Sequence, residues 1–252
     1  MTTTLLIATL AFATLVTSFI SGILGMAGGM ILMGVLLALM PVPAAMMMHG
    51  ITQLASNAWR ALLWRSQVDW RVFRGYVLGA LLSMAVFTML RLVVSKPFAL
   101  IVMGLTPFIT LVLPERLHLN VERRGQPFAC GAICSALALT AGVSGPILDV
   151  FFVRSKMGRH AVVATKAITQ SFSHILKITY FASIVAGEHG TVEPWLGAVM
   201  VAIALTGTSL SAPVLKRMND VSFRTWTRWT VAVLGTFYLV SGIVVLVRGT
   251  PG

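Results

Sequence analysis

Gly25-Met26-Ala27-Gly28-Gly29 and Gly142-Val143-Ser144-Gly145-Pro146 are the two stretches that decide how this chain folds. Each follows an apolar run, at 5–24 and 128–141, and leads into a short one, at 30–40 and 146–153. The short runs cannot cross a bilayer, because a spanning helix needs roughly 20 apolar residues. Each break is therefore either a kink inside one span or the tip of a hairpin that enters and leaves on the same side. The two breaks also share a register. Gly25 and Gly28 match Gly142 and Gly145 at an offset of 117 residues, and the same offset pairs Met40 with Met157 and Ala44 with Ala161. Further on it pairs Ile51-Thr52-Gln53 with Ile168-Thr169-Gln170, and Ser56 with Ser173. Two halves, 1–120 and 121–252, follow from this repeat.

Composition sets the medium. Of 252 residues, 57% are hydrophobic and 10% charged, and the mean hydropathy is +0.90. That is too little polar surface for a soluble domain of this size, and the reverse of what a disordered chain needs. The net charge of +12 is not a nucleic-acid footprint, because the basic residues sit in short clusters between apolar runs. The clusters choose between the two readings of the glycine breaks. With kinked spans, the loop Lys and Arg divide almost evenly between the two sides. With hairpins, one side receives Arg65, Arg71, Arg74, Arg116, Arg123, Arg124, Arg154, Lys156, Arg159, Lys216, Arg217, Arg224 and Arg228. The other side keeps only Arg91, Lys96 and Arg248. The second division obeys the positive-inside rule. The expected fold is thus an all-α polytopic membrane protein of two inverted repeats. Each repeat has a re-entrant glycine-tipped hairpin and about three full crossings, and both termini face outward.

Arg60, Lys166 and Lys177 are the basic residues left inside apolar segments, and Asp149 is the acid so placed. Ionisable groups at that depth are costly, so they face a cavity or a partner. Arg60 is near enough to the end of its run to reach the headgroups. Lys177, its counterpart across the repeat, sits mid-segment. Asp149, beside the basic loop Arg154 to Arg159, reads as an ion-pair partner or a coupling group, as do Lys177 and Arg60. The register also sets Lys166 opposite His49, Gln170 opposite Gln53 and His174 opposite Asn57. On a helix, 49, 53 and 57 share one face, as do 166, 170 and 174. One such polar stripe serves as glue between helices. Two equivalent stripes in inverted halves point to a shared central site.

The tips complete that site. A glycine-rich turn leading into a short helix leaves N–H groups unpaired at the positive end of the helix dipole, and Pro146 suits a first helical turn. Gly25, Gly28 and Gly29 of one tip and Gly142, Ser144 and Gly145 of the other are accordingly expected to bind substrate. They act with His49, Gln53, Asn57, Lys166, Gln170 and His174. Lys166 is expected to supply the charge. The lining is positive overall, so the substrate is an anion.

Gly25 to Gly29, Ala141 to Pro146 and above all Ala164-Thr165-Lys166-Ala167-Ile168-Thr169-Gln170-Ser171-Phe172-Ser173-His174 resemble the TauE/SafE family of anion exporters. The resemblance covers nearly the whole chain, although the first tip is less glycine-rich than in many members. It implies a multi-pass protein of the bacterial inner membrane that moves sulfite, sulfonates, sulfoacetate or related sulfur-containing anions. A secondary transporter working by alternating access is the expected function. An anion channel is the rival, since it would use the same midplane. Enzyme activity is not expected: Ser144 with His174 or His49 fits neither Gly-x-Ser-x-Gly nor His-Glu-x-x-His. No Walker A sequence occurs. No cofactor or metal is expected either, because Cys130 and Cys134 alone are too few ligands. The partners are the anion and membrane lipid, with no nucleic acid; a homodimer stays open.

Overall fold

The computed structural model describes residues 3–24, 26–112, 119–185, 193–217 and 220–248. Gly25, the first residue of the first tip, lies outside them, as does Arg116. Ten α-helices account for most of the described residues, with no strand among them. In chain order they are α1 (Thr3–Leu24), α2 (Met26–Leu39), α3 (Val42–Leu63), α4 (Trp70–Leu90) and α5 (Lys96–Val112). The second set is α6 (Gln126–Thr140), α7 (Gly145–Phe152), α8 (Arg159–Val185), α9 (Pro194–Arg217) and α10 (Asp220–Arg248).

Local chemistry sets the ends. The Asp69 carboxylate caps α4 by accepting from the N–H groups of Arg71 and Val72 at 2.9 and 3.0 Å. Arg91 closes the same helix in the left-handed region, φ 47°. Pro43 and Pro146 lie in the first turns of α3 and α7, where no N–H is needed.

Both glycine breaks reverse the chain. Gly28 packs against the Thr17 carbonyl and the Ser21 backbone, so α2 folds back along α1. A continued helix would hold positions 17 and 28 about 16 Å apart. In the second half, Val121 N–H donates to the Phe151 carbonyl at 3.0 Å and the Asn120 amide to the Arg154 carbonyl at 3.0 Å. The chain that enters α6 thus leaves α7 at the same end.

The remaining helices pack in pairs. α3 and α8 run antiparallel: Gly50 lies against Lys177 and Ile178, while Trp64 stacks on His160 with centroids 4.4 Å apart. α5 and α10 are antiparallel too, Gly104 against Gly235 and Ile101 against Gly242. α1 and α9 are parallel, with Thr14 bonded to Met200 and Gly22 against Ser211. So are α4 and α6, with Gly75 against Pro127 and Ser83 donating to the Ala132 carbonyl at 2.6 Å. The loops 64–69, 119–125 and 153–158 gather at one end, where Asp69 N–H meets Thr165 and Lys156 N–H meets Glu122. Residues 91–95 lie at the other, where Tyr180 donates to the Leu92 carbonyl at 2.7 Å.

Among the described residues, four stretches are long and apolar enough to cross a membrane: Thr4–Ile23, Trp70–Leu90, Pro194–Ser211 and Trp229–Arg248. α3 and α8, at 22 and 27 residues, have the length but carry the polar stripes. They turn those stripes inward against each other. The outer helices invert the soluble pattern: Trp229, Val233, Phe237, Val240, Val244 and Val247 form an exposed apolar face on α10. This is a multi-pass membrane protein.

Candidate functional site

His49 projects from α3 between the two reversals. Its Nε2 lies 2.9 Å from the Gly29 carbonyl at the start of α2. A carbonyl can only accept, so Nε2 carries the proton and Nδ1 presents a lone pair. Lys177 Nζ, from α8, donates to that Nδ1 at 2.7 Å and to the Gly142 carbonyl at 3.0 Å. A continuous chain of hydrogen bonds thus joins the first tip to the second through two side chains. Gly142 holds φ at 76° and packs on Met33 of α2, so the two breaks meet directly as well. Lys177 is 0% exposed and His49 1%. Among the described residues no carboxylate faces Lys177.

The neighbours are polar and incompletely paired. The His174 ring stands edge-on to His49, centroids 5.8 Å apart, and its Nδ1 is buried without a partner. Gln53, 4% exposed, sits beside Gly29 with its Nε2 likewise unpaired. Buried polar atoms without partners are rare, and each asks for a ligand or a water. Asn57 is occupied: its amide donates to the Gln53 carbonyl at 2.9 Å, and its Oδ1 accepts from Arg60 Nη2 at 2.8 Å. Arg60 is thereby held along α3, half-buried.

The other expected residues divide. Gly28, Gly29, His49, Gln53, Gly142 and His174 gather around the meeting point of the tips. Ser144 and Gly145 are buried at the N-terminus of α7, and the Ser144 side chain makes no capping bond there. Gln170 is half-buried one turn before His174. Lys166 is ion-paired with Asp149 of α7, at side-chain exposures of 26% and 37%. Asp149 therefore finds its partner on α8 rather than in the loop Arg154 to Arg159. The backbone atoms that the tips turn toward His49 and Lys177 are carbonyls, not the N–H groups expected of them.

Behind α8 a hydroxyl cluster ties the second half together. Ser173 shares hydrogen bonds with Tyr76 at 2.7 Å and Ser135 at 2.9 Å. Its counterpart Ser56 accepts from Thr208 at 3.0 Å. Ser18, which the 117 register sets opposite Ser135, is buried with its hydroxyl unpaired. The register could have found these clusters, because Ser18 and Ser56 pair with Ser135 and Ser173 in it. Cys130 and Cys134 are both buried and free, 4.0 Å apart at sulfur. No group of metal-ligating side chains occurs among the described residues.

No curated protein and no solved structure matches the chain. The profile of one family does, over residues 10–238: with nine-tenths of its length inside that match, this chain belongs to the sulfite exporter TauE/SafE family.

Proposed function

We propose that the protein is a secondary transporter that moves a small organosulfonate or sulfur oxyanion, such as sulfoacetate or sulfite, across the bacterial inner membrane. Export by alternating access is the direction we favour. The observation that carries the reading is the buried meeting point of the two tips, built around the basic side chains Lys177, His49 and His174. There, among the described residues, Lys177 has no carboxylate partner, and Gln53 Nε2 and His174 Nδ1 have no hydrogen-bond partner. An anion whose oxygens accept from all three removes each deficit at once. Lys177 is then the cation of the site, since Asp149 already neutralises Lys166. Gly28, Gly29, Gly142, Ser144 and Gly145 shape the walls, and His49 positions Lys177. No covalent step belongs to this reading, and no homodimer is part of it.

The architecture that suits such a carrier is a pair of inverted repeats, 1–120 and 121–252, each with a re-entrant hairpin and three crossings. Three observations support it. The α3 and α8 helices correspond across the 117-residue register and run antiparallel. The α1 and α2 helices, like α6 and α7, form reversals. The parallel pair α4 and α6 repeats α1 and α9: shifted by 117 residues, Ser83 falls on Met200 and Ala132 on Leu15, the neighbour of Thr14. The basic loops share one end, which is the cytoplasmic end by the positive-inside rule.

Thermal-shift titration of purified protein with sulfite, thiosulfate, sulfoacetate, taurine and aryl sulfonates tests the site, because a specific ligand raises stability by mass action. Saturable counterflow of the stabilising anion in liposomes is expected of a carrier. Ionic currents at channel rates would instead make it an anion channel.

A further inference from the structure

The link between the tips sets Lys177 between two neutral acceptors, and that bears on how the site is charged. The Gly29 carbonyl keeps the proton of the imidazole on Nε2, so the short contact between His49 Nδ1 and Lys177 Nζ holds a single hydrogen. The other acceptor of Lys177, the Gly142 carbonyl, is also neutral. Among the described residues nothing around the pair supplies negative charge. Arg60 on α3 and His174 on α8 add only positive potential, and Lys166 and Asp149 cancel each other. Helices α1 and α2 carry no ionisable side chain, and α9 has only Lys216 and Arg217 at its end. Tyr76 from α4 is hydrogen-bonded to Ser173, and the free thiols of Cys130 and Cys134 on α6 lie against each other. A buried ammonium with no counter-charge is among the most costly arrangements a membrane interior can hold. The arriving anion is the missing counter-charge, and an ammonium is what the anion needs.

On the reading of the protein as an anion carrier, we propose that anion and proton load together: the Lys177–His49 pair takes up one proton from water with each anion bound and returns it when the anion leaves. A monoanion then crosses with its charge balanced, and export, which carries the proton outward as well, is driven by the anion gradient against an inward proton gradient. Lys177 is the proton acceptor, and His49 is a positioning residue that holds Nζ between the tips.

The test is calorimetric titration of purified protein with thiosulfate, isethionate, sulfoacetate and benzenesulfonate, whose charges are constant above about pH 6. Each is run in two buffers of different ionisation enthalpy, which gives protons bound per anion. Uptake of about one proton is expected, with affinity falling by up to about tenfold per pH unit as pH rises. Lys177→Arg, whose guanidinium keeps its proton throughout, is expected to bind with no uptake, and Lys177→Met to lose affinity. His174→Gln is expected to keep the uptake. Binding by the unaltered protein without proton uptake overturns the proposal and leaves the carrier reading standing. Uptake that survives in Lys177→Arg or disappears in His174→Gln also overturns it, by moving the proton elsewhere. If none of the four anions binds and the thermal-shift panel with sulfite and taurine is also flat, the carrier reading itself falls.

Discussion

Lys177 and Lys166 lie three turns apart on one helix and differ in what holds them. Lys166 faces Asp149 across a half-exposed gap, so its charge is already matched. Lys177 is fully buried between an imidazole and a carbonyl, so its charge is not. We therefore expect Lys177→Met to abolish the thermal shift that a bound anion gives, while the protein stays monodisperse in detergent. A thermal shift of ordinary size in that variant would return the cationic role to Lys166 or Arg60. The Lys166–Asp149 pair makes a separate prediction. Removing either partner alone leaves a charge without its match, so Lys166→Met and Asp149→Asn should each lower the melting temperature. The double variant should lower it by less than the two shifts added together. Strict additivity would mean that the pair contributes nothing. In the sequence, both lysines and the acid stand out as ionisable groups in apolar runs. Their pairing was not legible, because it depends on how the eight-residue α7 is rotated against α8, and eight residues carry too little periodicity to fix that rotation.

At the scale of elements, the two reversals were readable and their chemistry was not. Glycines at matched positions, followed by runs too short to span, are enough to mark a turn back, and the structure turns back at both places. The expectation that the tips offer N–H groups came from the helix dipole alone. In the folded chain the carbonyls of Gly29 and Gly142 are turned to His49 and Lys177 instead, and no local pattern predicts which face of a turn meets a neighbour. The reversals also explain which glycines are indispensable. A side chain at Gly28 would collide with the Thr17 carbonyl and the Ser21 backbone, neither of which can move without parting α1 from α2. Gly28→Val should cost at least about 3 kcal/mol and leave little folded protein after extraction. Gly142→Ala adds a Cβ at φ 76°, which costs about 1–2 kcal/mol, and presses on Met33. Gly158 has open space around it, so Gly158→Ala serves as the control and should melt with the wild type. Size-exclusion profiles and melting curves of the three variants would separate these cases. A Gly28→Val protein as stable as the control would mean that α1 and α2 are not held in contact.

For the whole molecule, the distribution of charge carried more information than hydropathy. Among the described residues four stretches are apolar enough to span, and α3 and α8 are not among them because they bury polar stripes against each other. The basic loops are not misled in this way, since they record which end each helix reaches rather than what it touches. Their division into a rich set and a poor set agrees with the gathering of loops 64–69, 119–125 and 153–158 at one end, with 91–95 at the other. Inverted halves with a shared central site already imply that α3 and α8 run opposite ways, but which of their residues touch was beyond reach, because a repeat in sequence gives correspondence and not contact. The orientation leads to a prediction about sidedness. Gln67 in the basic set and Ser95 in the poor set are both exposed, and Cys130 and Cys134 are buried thiols that Ala can replace to give a blank background. In intact cells, a thiol reagent that does not cross the membrane should label Ser95→Cys and leave Gln67→Cys untouched until the cells are opened. A cysteine added after Gly252 should behave like Ser95→Cys, since α10 runs antiparallel to α5 and ends near the residue where α5 begins. Labelling of the added C-terminal cysteine together with Gln67→Cys, rather than with Ser95→Cys, would sink the odd number of crossings per half. With it would go the inverted arrangement that we propose for the two halves.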